Sequence, residues 1–116
     1  MADRSNGEMT QNLLFICTQN KFRSPTAENV FSAFEGLECD SAGLAVDAAV
    51  SLSPEQIEWA DIIFVMEKTH RNKLTKKFRK YLNGKRVIVL GIPDEFEYMD
   101  DDLVKLLHAK VPQFLR

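Results

Sequence analysis

The chain has 116 residues, 45% of them hydrophobic and 28% charged, which is the length and composition of one ordinary globular domain. Its apolar runs fall far short of the ~20 residues that a membrane-spanning helix needs, and the first eleven residues lack the apolar segment of a secretory signal. The net charge of -2 gives no general attraction to nucleic acid. These features predict a cytoplasmic protein with a flexible tail at residues 1–11 and a single domain at residues 12–116.

Short apolar runs alternate with amphipathic segments along the chain. Continuous apolar runs indicate buried strands at 13–17, 62–66 and 86–90, and Leu37-Glu-Cys-Asp-Ser41 is interpreted as a further short strand that ends at Gly43. Helical spacing and capping residues predict helices at 24–36, from Ser53-Pro54 onward, at 67–82 and at 101–114. Residues 45–51 carry no firm signal. The alternation predicts an α/β fold with a parallel sheet between helices, whose ligands bind beyond the carboxyl ends of the strands.

The loop after the first predicted strand carries the clearest chemical signal. It reads Cys17-Thr-Gln-Asn-Lys-Phe-Arg23-Ser24 and leads into a helix that begins near Pro25. Backbone N–H groups of such a loop and helix start bind phosphate and stabilise a thiolate, and the planar fork of Arg23 can hold two phosphoryl oxygens. A buried cysteine at a strand end is most often a small hydrophobic residue. Five residues between cysteine and Arg-Ser-Pro form a much more restrictive pattern, which predicts that Cys17 is a nucleophile toward phosphate esters.

Several segments resemble one family in the right order. They are LLFICTQNKFRSPTAENVF, SAG at 41–43, DIIFVMEKTHRNKL at 61–74 and IPDEFEY at 92–98, and they resemble the low-molecular-weight protein tyrosine phosphatases. The resemblance implies a flavodoxin-like three-layer sandwich with a four-stranded parallel sheet of order 2-1-3-4. It also implies hydrolysis of phosphotyrosine or aryl phosphate through a phosphocysteine intermediate, with no metal and no cofactor.

The same resemblance assigns roles to individual residues. Cys17 is the nucleophile, Arg23 clamps the phosphate, Asn20 braces the loop, and the Ser24 hydroxyl faces the cysteine sulfur. Asp94 matches the general acid that follows the fourth strand. The phosphate-binding loop comprises Thr18, Gln19, Asn20, Lys21, Phe22, Arg23 and Ser24.

Two assignments after the fourth strand have alternatives. Asp100, Asp101 and Asp102 compete with Asp94 as the proton donor, although this triplet also suits the start of the last helix. Phe96 and Tyr98 either line the substrate entrance or pack over a helix.

The sequence departs from the family pattern at four places. Gln19 replaces a glycine of the loop, and Phe22 replaces a second cysteine that could protect Cys17 as a disulfide. Glu95 adds an acid beside Asp94. The segment between residues 44 and 61 is short, which predicts a shallower and more open cleft. Cys39 is interpreted as a core residue.

Three other functions are compatible with a cysteine in such a loop. Arsenate reduction in related enzymes requires two further cysteines, but none follows Cys39. A phosphate-binding or phosphocarrier module would not need an acid such as Asp94. A phosphatase for RNA ends or small metabolites would use the same loop, with the basic stretch at 73–86 attracting the polyanion. The predicted partner is a phosphorylated substrate, either a phosphotyrosine protein or a small aryl phosphate. No membrane partner is predicted, and nucleic acid is a less favoured alternative.

Overall fold

The computed structural model describes residues 10–115. Residues 1–9 of the predicted tail lie outside the described residues, while Gln11, which also falls within that tail, opens the first strand. The division into a tail and a single domain stays a prediction. The described strands are β1 (Gln11–Cys17), β2 (Leu37–Gly43), β3 (Ile62–Val65) and β4 (Arg86–Val89).

These four strands form one parallel sheet in the order β2-β1-β3-β4. The central strands β1 and β3 are buried on both sides, as their continuous apolar sequences require. The edge strand β4 is only partly buried. The predicted parallel sheet and its order are confirmed.

Four α-helices connect or follow the strands. They are α1 (Arg23–Ser32), α2 (Pro54–Trp59), α3 (Lys68–Phe78) and α4 (Asp101–Lys110), and 3-10 turns occur at Arg79–Tyr81 and Pro112–Phe114. The predicted capped start of α2 is present, because the Ser53 hydroxyl accepts from Gln56 and the Gln56 side chain accepts from Ser53. None of these helices is long and apolar enough to cross a membrane.

Three helices end earlier than predicted, because the chain tightens into turns at their ends. The segment after α1 turns through Gly36, which has a φ of +85°. The continuation of α3 becomes a 3-10 turn at Arg79–Tyr81, which lets Tyr81 and Leu82 pack against the core. The last helix ends at Lys110 because Pro112, which has no N–H, starts the next turn.

The core consists of two apolar layers, one on each face of the sheet. Phe15 and Phe64 stack with ring centroids 5.2 Å apart, on the face covered by α1 and α4. Ile16 and Val65 alternate to the opposite face, where α2 and α3 pack. This arrangement is the predicted three-layer sandwich.

The carboxyl ends of the parallel strands meet at one edge of the sheet. β1 ends at Cys17, the chain after β3 continues to Glu67, and the chain after β4 continues to Ile92 and Asp94. Because neighbouring parallel strands run in register, these residues reach the same region. Residues far apart in sequence are therefore gathered around one loop.

Candidate active site

The loop from Cys17 to Arg23 presents its backbone as a set of free donors. Cys17 is the last residue of β1 and is 3% exposed, while α1 starts at Arg23 without a side-chain cap. Within residues 10–115, no N–H group from Thr18 to Ser24 donates to another protein group. Buried or half-buried N–H groups need a partner, so the loop has the properties of an anion site.

A directed chain of hydrogen bonds ends on the cysteine sulfur. The amide nitrogen of Asn20 lies 3.0 Å from Ser24 Oγ and 2.9 Å from Ser41 Oγ, and it can only donate to both. Ser41 therefore turns its proton to Glu28 Oε1, 2.5 Å away. The Ser24 proton is free to point at Cys17 Sγ at 3.0 Å. This polarity favours a thiolate at Cys17.

Asn20 also sets the shape of the loop. Its φ of +56° lies in the left-handed region, which asparagine tolerates better than most residues. The residue is buried, so its two donated hydrogen bonds replace contacts with water. Its role in bracing the loop stays a prediction.

Arg23 is buried and held in one orientation. Its Nη1 donates to Glu67 Oε1 at 2.8 Å and to the Ile92 carbonyl at 2.8 Å. The Nε atom lies 3.8 Å from Asp94 Oδ1. Since Nη1 uses both of its hydrogens, Nε and Nη2 remain available for a bound anion.

His70, in the first turn of α3, contacts the loop at Thr18. The Glu67 N–H donates to His70 Nδ1 at 3.0 Å, so the proton of the neutral ring is on Nε2, 3.0 Å from Thr18 Oγ1. Burial, the Arg23 charge and Lys73 lower the pKa of His70 to about 4. The ring is therefore neutral near pH 7 and donates to Thr18.

The segment after β2 packs directly against the loop. Leu44 N–H donates to the Cys17 carbonyl, Ala45 N–H to that of Thr18, and Ala49 N–H to that of Gln19, each at 3.0 Å. At Gly43 an added Cβ would lie 2.6 Å from the Thr18 carbonyl oxygen and 2.9 Å from the Asn20 nitrogen. Only glycine lets the two backbones approach this closely. The side chain of Gln19 is exposed.

A small cavity of about 80 Å³ opens at the sulfur. Asp94, with a side chain that is 69% exposed, contributes to its rim. By contrast, Asp100 caps α4 by accepting from the Asp102 N–H at 2.8 Å. The cavity is lined by Cys17, Thr18, Gln19, Lys21, Phe22, Arg23 and Asp94.

The chain after Asp94 is docked onto α1. The Met99 N–H donates to Thr26 Oγ1 at 2.9 Å, and Asn29 donates to the Tyr98 hydroxyl at 3.1 Å. Phe96 is half-buried and packs against the apolar layer of α1 and α4, whereas Tyr98 is exposed. Both lie outside the lining of the small cavity. Their role in substrate binding stays a prediction.

Four residues of the site have contacts that the sequence analysis did not predict. Glu67 and His70 occur in the motif EKTH directly after a buried strand, where polar side chains signal the functional edge of a parallel sheet. Ser41 and Glu28 carry no comparable signal, since their role depends on the approach of β2 to α1.

Cys39 packs partly against the core, and burial raises the pKa of its thiol to about 11. In the described residues no three His, Cys, Asp or Glu side chains cluster as metal ligands.

The fold and the loop together define the class of protein: a flavodoxin-like domain whose first strand ends at a cysteine beside a loop of free backbone N–H groups. Residues 12–58 match the family model of low molecular weight phosphotyrosine protein phosphatases. The resemblance to this family is therefore confirmed. Comparison with curated protein sequences gives no match.

Solved structures of related enzymes share the fold. The YwlE arginine phosphatase from Geobacillus stearothermophilus has a TM-score of 0.69 and 22% identity, covering 84% of this chain and 88% of that chain. The tyrosine phosphatase Wzb from Escherichia coli K30, in complex with phosphate, has a TM-score of 0.68 and 21% identity, covering 87% and 93%. A low molecular weight protein tyrosine phosphatase from T. tengcongensis has a TM-score of 0.68 and 21% identity, covering 85% and 96%.

Proposed function

We propose that the protein is a cysteine-dependent phosphomonoesterase that hydrolyses phosphotyrosine or aryl phosphate through a phosphocysteine intermediate. The observation that carries this proposal is the position of Cys17 Sγ, 3.0 Å from Ser24 Oγ and inside a loop of unpaired N–H groups. Arg23 beside it adds a fixed positive charge with two free donor atoms. A nucleophile and an anion site at the same point suit phosphoryl transfer.

In the first step, the Cys17 thiolate attacks phosphorus and an S–P bond forms as the ester P–O bond breaks. The loop N–H groups and Arg23 hold the three equatorial oxygens, on which negative charge is concentrated. Asp94, at the rim of the cavity, gives its proton to the departing oxygen. The products are the free alcohol or phenol and a phosphocysteine.

In the second step, water attacks the phosphocysteine and the P–S bond breaks. The Asp94 carboxylate takes a proton from this water, which restores the protonated acid for the next cycle. The thiolate that departs is stabilised by the Ser24 hydroxyl, whose proton Asn20 directs toward the sulfur. Inorganic phosphate leaves the loop.

Asp94 also bears on the choice between a phosphatase and a phosphocarrier. A carrier has to keep its phosphocysteine, so an acid that can deprotonate water near the sulfur would work against it. Asp94 Oδ1 lies 3.8 Å from Arg23 Nε, close to the proposed anion site. This proximity supports hydrolysis, with Asp94 rather than the Asp100–Asp102 triplet as the proton donor.

The proposed substrates are phosphorylated tyrosine side chains and small aryl phosphates. The tyrosine phosphatases among the structural neighbours support this choice. Another structural neighbour, from Geobacillus stearothermophilus, is an arginine phosphatase instead. Here Lys21 and Arg23 both line the cavity, and two cations disfavour a substrate that carries a guanidinium. We place the activity in the cytoplasm, where a free thiol such as Cys17 stays reduced.

Hydrolysis of para-nitrophenyl phosphate in the presence of a chelator tests this mechanism. The wild type should release nitrophenol, and Cys17→Ser should lose all measurable activity. Cys39→Ser removes the other cysteine of the chain and should keep the wild-type rate. A fully active Cys17→Ser variant would overturn the proposal.

The proton donor is tested by the leaving group. Asp94→Asn should lower kcat/KM, which reports the first step, by about 10²- to 10⁴-fold for phenyl phosphate and by much less for para-nitrophenyl phosphate, whose phenolate leaves more readily. Asp101→Asn is the matched control and should leave both rates unchanged. The opposite pattern would assign the proton donor to the start of α4.

A further inference from the structure

A second cavity lies next to the loop, with a strongly basic lining. This lysine groove has a volume of about 360 Å³ and is lined by Leu44, Lys73, Lys76 and Lys77. The three lysines lie three and four residues apart on α3, so they share one face of the helix. All three are exposed, and none pairs with an acidic residue within residues 10–115.

The positive charge is concentrated rather than balanced locally. Every charged residue of α3 is basic, while the whole chain carries a net charge of -2. Clustered like charges repel one another and destabilise the helix unless an anion neutralises them. The positive charge of the groove is not neutralised by the described residues, and it therefore favours a negatively charged ligand.

Both walls of the groove are attached to the catalytic loop. Leu44 N–H donates to the Cys17 carbonyl at 3.0 Å, and the other wall is continuous with His70, which contacts Thr18. At a rise of 1.5 Å per residue, Lys73 and Lys77 lie about 5 and 10 Å beyond His70 along the helix. A ligand in the groove is thus close enough to be part of the same molecule as the phosphoryl group.

We propose that the lysine groove binds acidic side chains of a polypeptide substrate, at positions flanking the phosphorylated residue. An extended peptide advances about 3.3 Å per residue, so the acidic residues would lie roughly two to four positions from that residue. Lysines bind carboxylates as point charges. This inference rests on the proposed phosphatase function and names its substrate class.

The lining favours a peptide over a nucleic acid. Single-stranded nucleic acid is recognised largely by stacking of bases on aromatic rings or guanidinium planes. Leu44 and the three lysines provide neither surface.

The test compares two synthetic phosphotyrosine peptides of equal length. One carries Glu at positions two to four on both sides of the phosphotyrosine, and the other carries Gln at the same positions. For the wild type at low ionic strength, kcat/KM should be about threefold to tenfold higher for the Glu peptide, which is the gain that two or three exposed ion pairs supply. Raising the salt to 0.5 M should remove the preference.

A charge-matched pair of variants locates the effect. Lys76→Ser/Lys77→Ser should reduce the preference to less than twofold, whereas Lys105→Ser/Lys110→Ser makes the same change in net charge on α4 and should keep it. Equal kcat/KM values of the wild type for both peptides would overturn the inference. Equal loss of preference in both double variants would also overturn it, since the effect would then be one of net charge.

Two further outcomes separate this inference from the function on which it rests. Hydrolysis of para-nitrophenyl phosphate without hydrolysis of either peptide would overturn the peptide assignment and leave the phosphatase chemistry in place. Absence of both activities would overturn the proposed function itself.

Faster hydrolysis of a 5′-phosphorylated oligoribonucleotide, dependent on Lys76 and Lys77, would assign the groove to nucleic acid and reject the peptide.

Discussion

His70 provides the sharpest prediction, because its protonation is opposed by the contacts that position the loop. Its Nδ1 accepts from the Glu67 N–H, and its Nε2 donates to Thr18. Burial, followed by the Arg23 charge, lowers the pKa of His70 from 6.5 to about 4. A proton on Nδ1 would remove the acceptor of the Glu67 N–H and place a cation near Arg23. Acidification should therefore destabilise the protein through this residue.

The direction and size of the effect follow from linkage. Between pH 6.5 and pH 4 the unfolded chain binds a proton at His70 that the folded protein rejects, so the free energy of unfolding falls as the pH falls. The contribution of His70 is complete above pH 6.5 and lost below pH 4. It amounts to roughly 3 kcal/mol over this interval.

Urea unfolding measured by tryptophan fluorescence can follow this change, since Trp59 is the only tryptophan. The free energy of unfolding should be determined between pH 7.5 and pH 4.5 for the wild type and His70→Asn. At pH 7.5 the variant should be less stable by about 1 kcal/mol, because the buried hydrogen bond to Thr18 is lost. The difference should shrink toward pH 4.5, where the wild type loses its advantage.

His108→Asn is the matched control, as it removes the only other histidine from an exposed position on α4. Its stability should follow the wild-type pH curve. Parallel curves for the wild type and His70→Asn would refute the reasoning, because they would show that His70 titrates alike in the folded and unfolded states. A ¹⁵N spectrum that placed the neutral proton on Nδ1 would contradict the hydrogen-bond assignment as well.

Three further substitutions test contacts around the loop. Glu67→Gln removes the charged partner of Arg23 and should lower kcat/KM for para-nitrophenyl phosphate by about 10- to 100-fold without a comparable loss in urea stability; an unchanged rate would mean that Arg23 is oriented without it. Gly43→Ala forces a Cβ to 2.6 Å from the Thr18 carbonyl oxygen and should cost about 1 to 3 kcal/mol in urea unfolding together with activity; a stable, active variant would contradict the close approach. Asn20→Gly keeps the left-handed backbone accessible but not the hydrogen bonds, so it should be more stable than Asn20→Ala by about 1 kcal/mol while both lose activity.

Much of the fold could be predicted because its signals are local. The runs at β1 and β3 are continuous and apolar, and Ser53 and Gln56 form a capping pattern that can be read over four residues. The order of these elements leaves few arrangements for a parallel sheet. The ends of the helices are harder to predict from local sequence. The turn at Arg79–Tyr81, for example, depends on how Tyr81 and Leu82 pack against the core.

The candidate site divides in the same way. Cys17 and Arg23 belong to one continuous motif, so their proximity follows from local sequence alone. The contacts of Glu67 and Ser41 depend on how neighbouring strands deliver their carboxyl ends, with partners 44 and 21 residues away in the sequence. Such contacts cannot be derived from spacing, since they require the register of the sheet.

The protein also stabilises the shape of the loop through hydrogen bonds to the loop carbonyl groups. A loop with several free N–H groups lacks the backbone hydrogen bonds that stabilise most turns. Here the opposite face of the loop supplies the missing stabilisation, because its carbonyl groups accept from Leu44, Ala45 and Ala49. Asn20 adds two buried side-chain bonds. In the proposed mechanism the free N–H groups bind the substrate phosphate. A substitution that weakens the hydrogen bonds to the loop carbonyl groups should therefore impair phosphate binding without changing a donor.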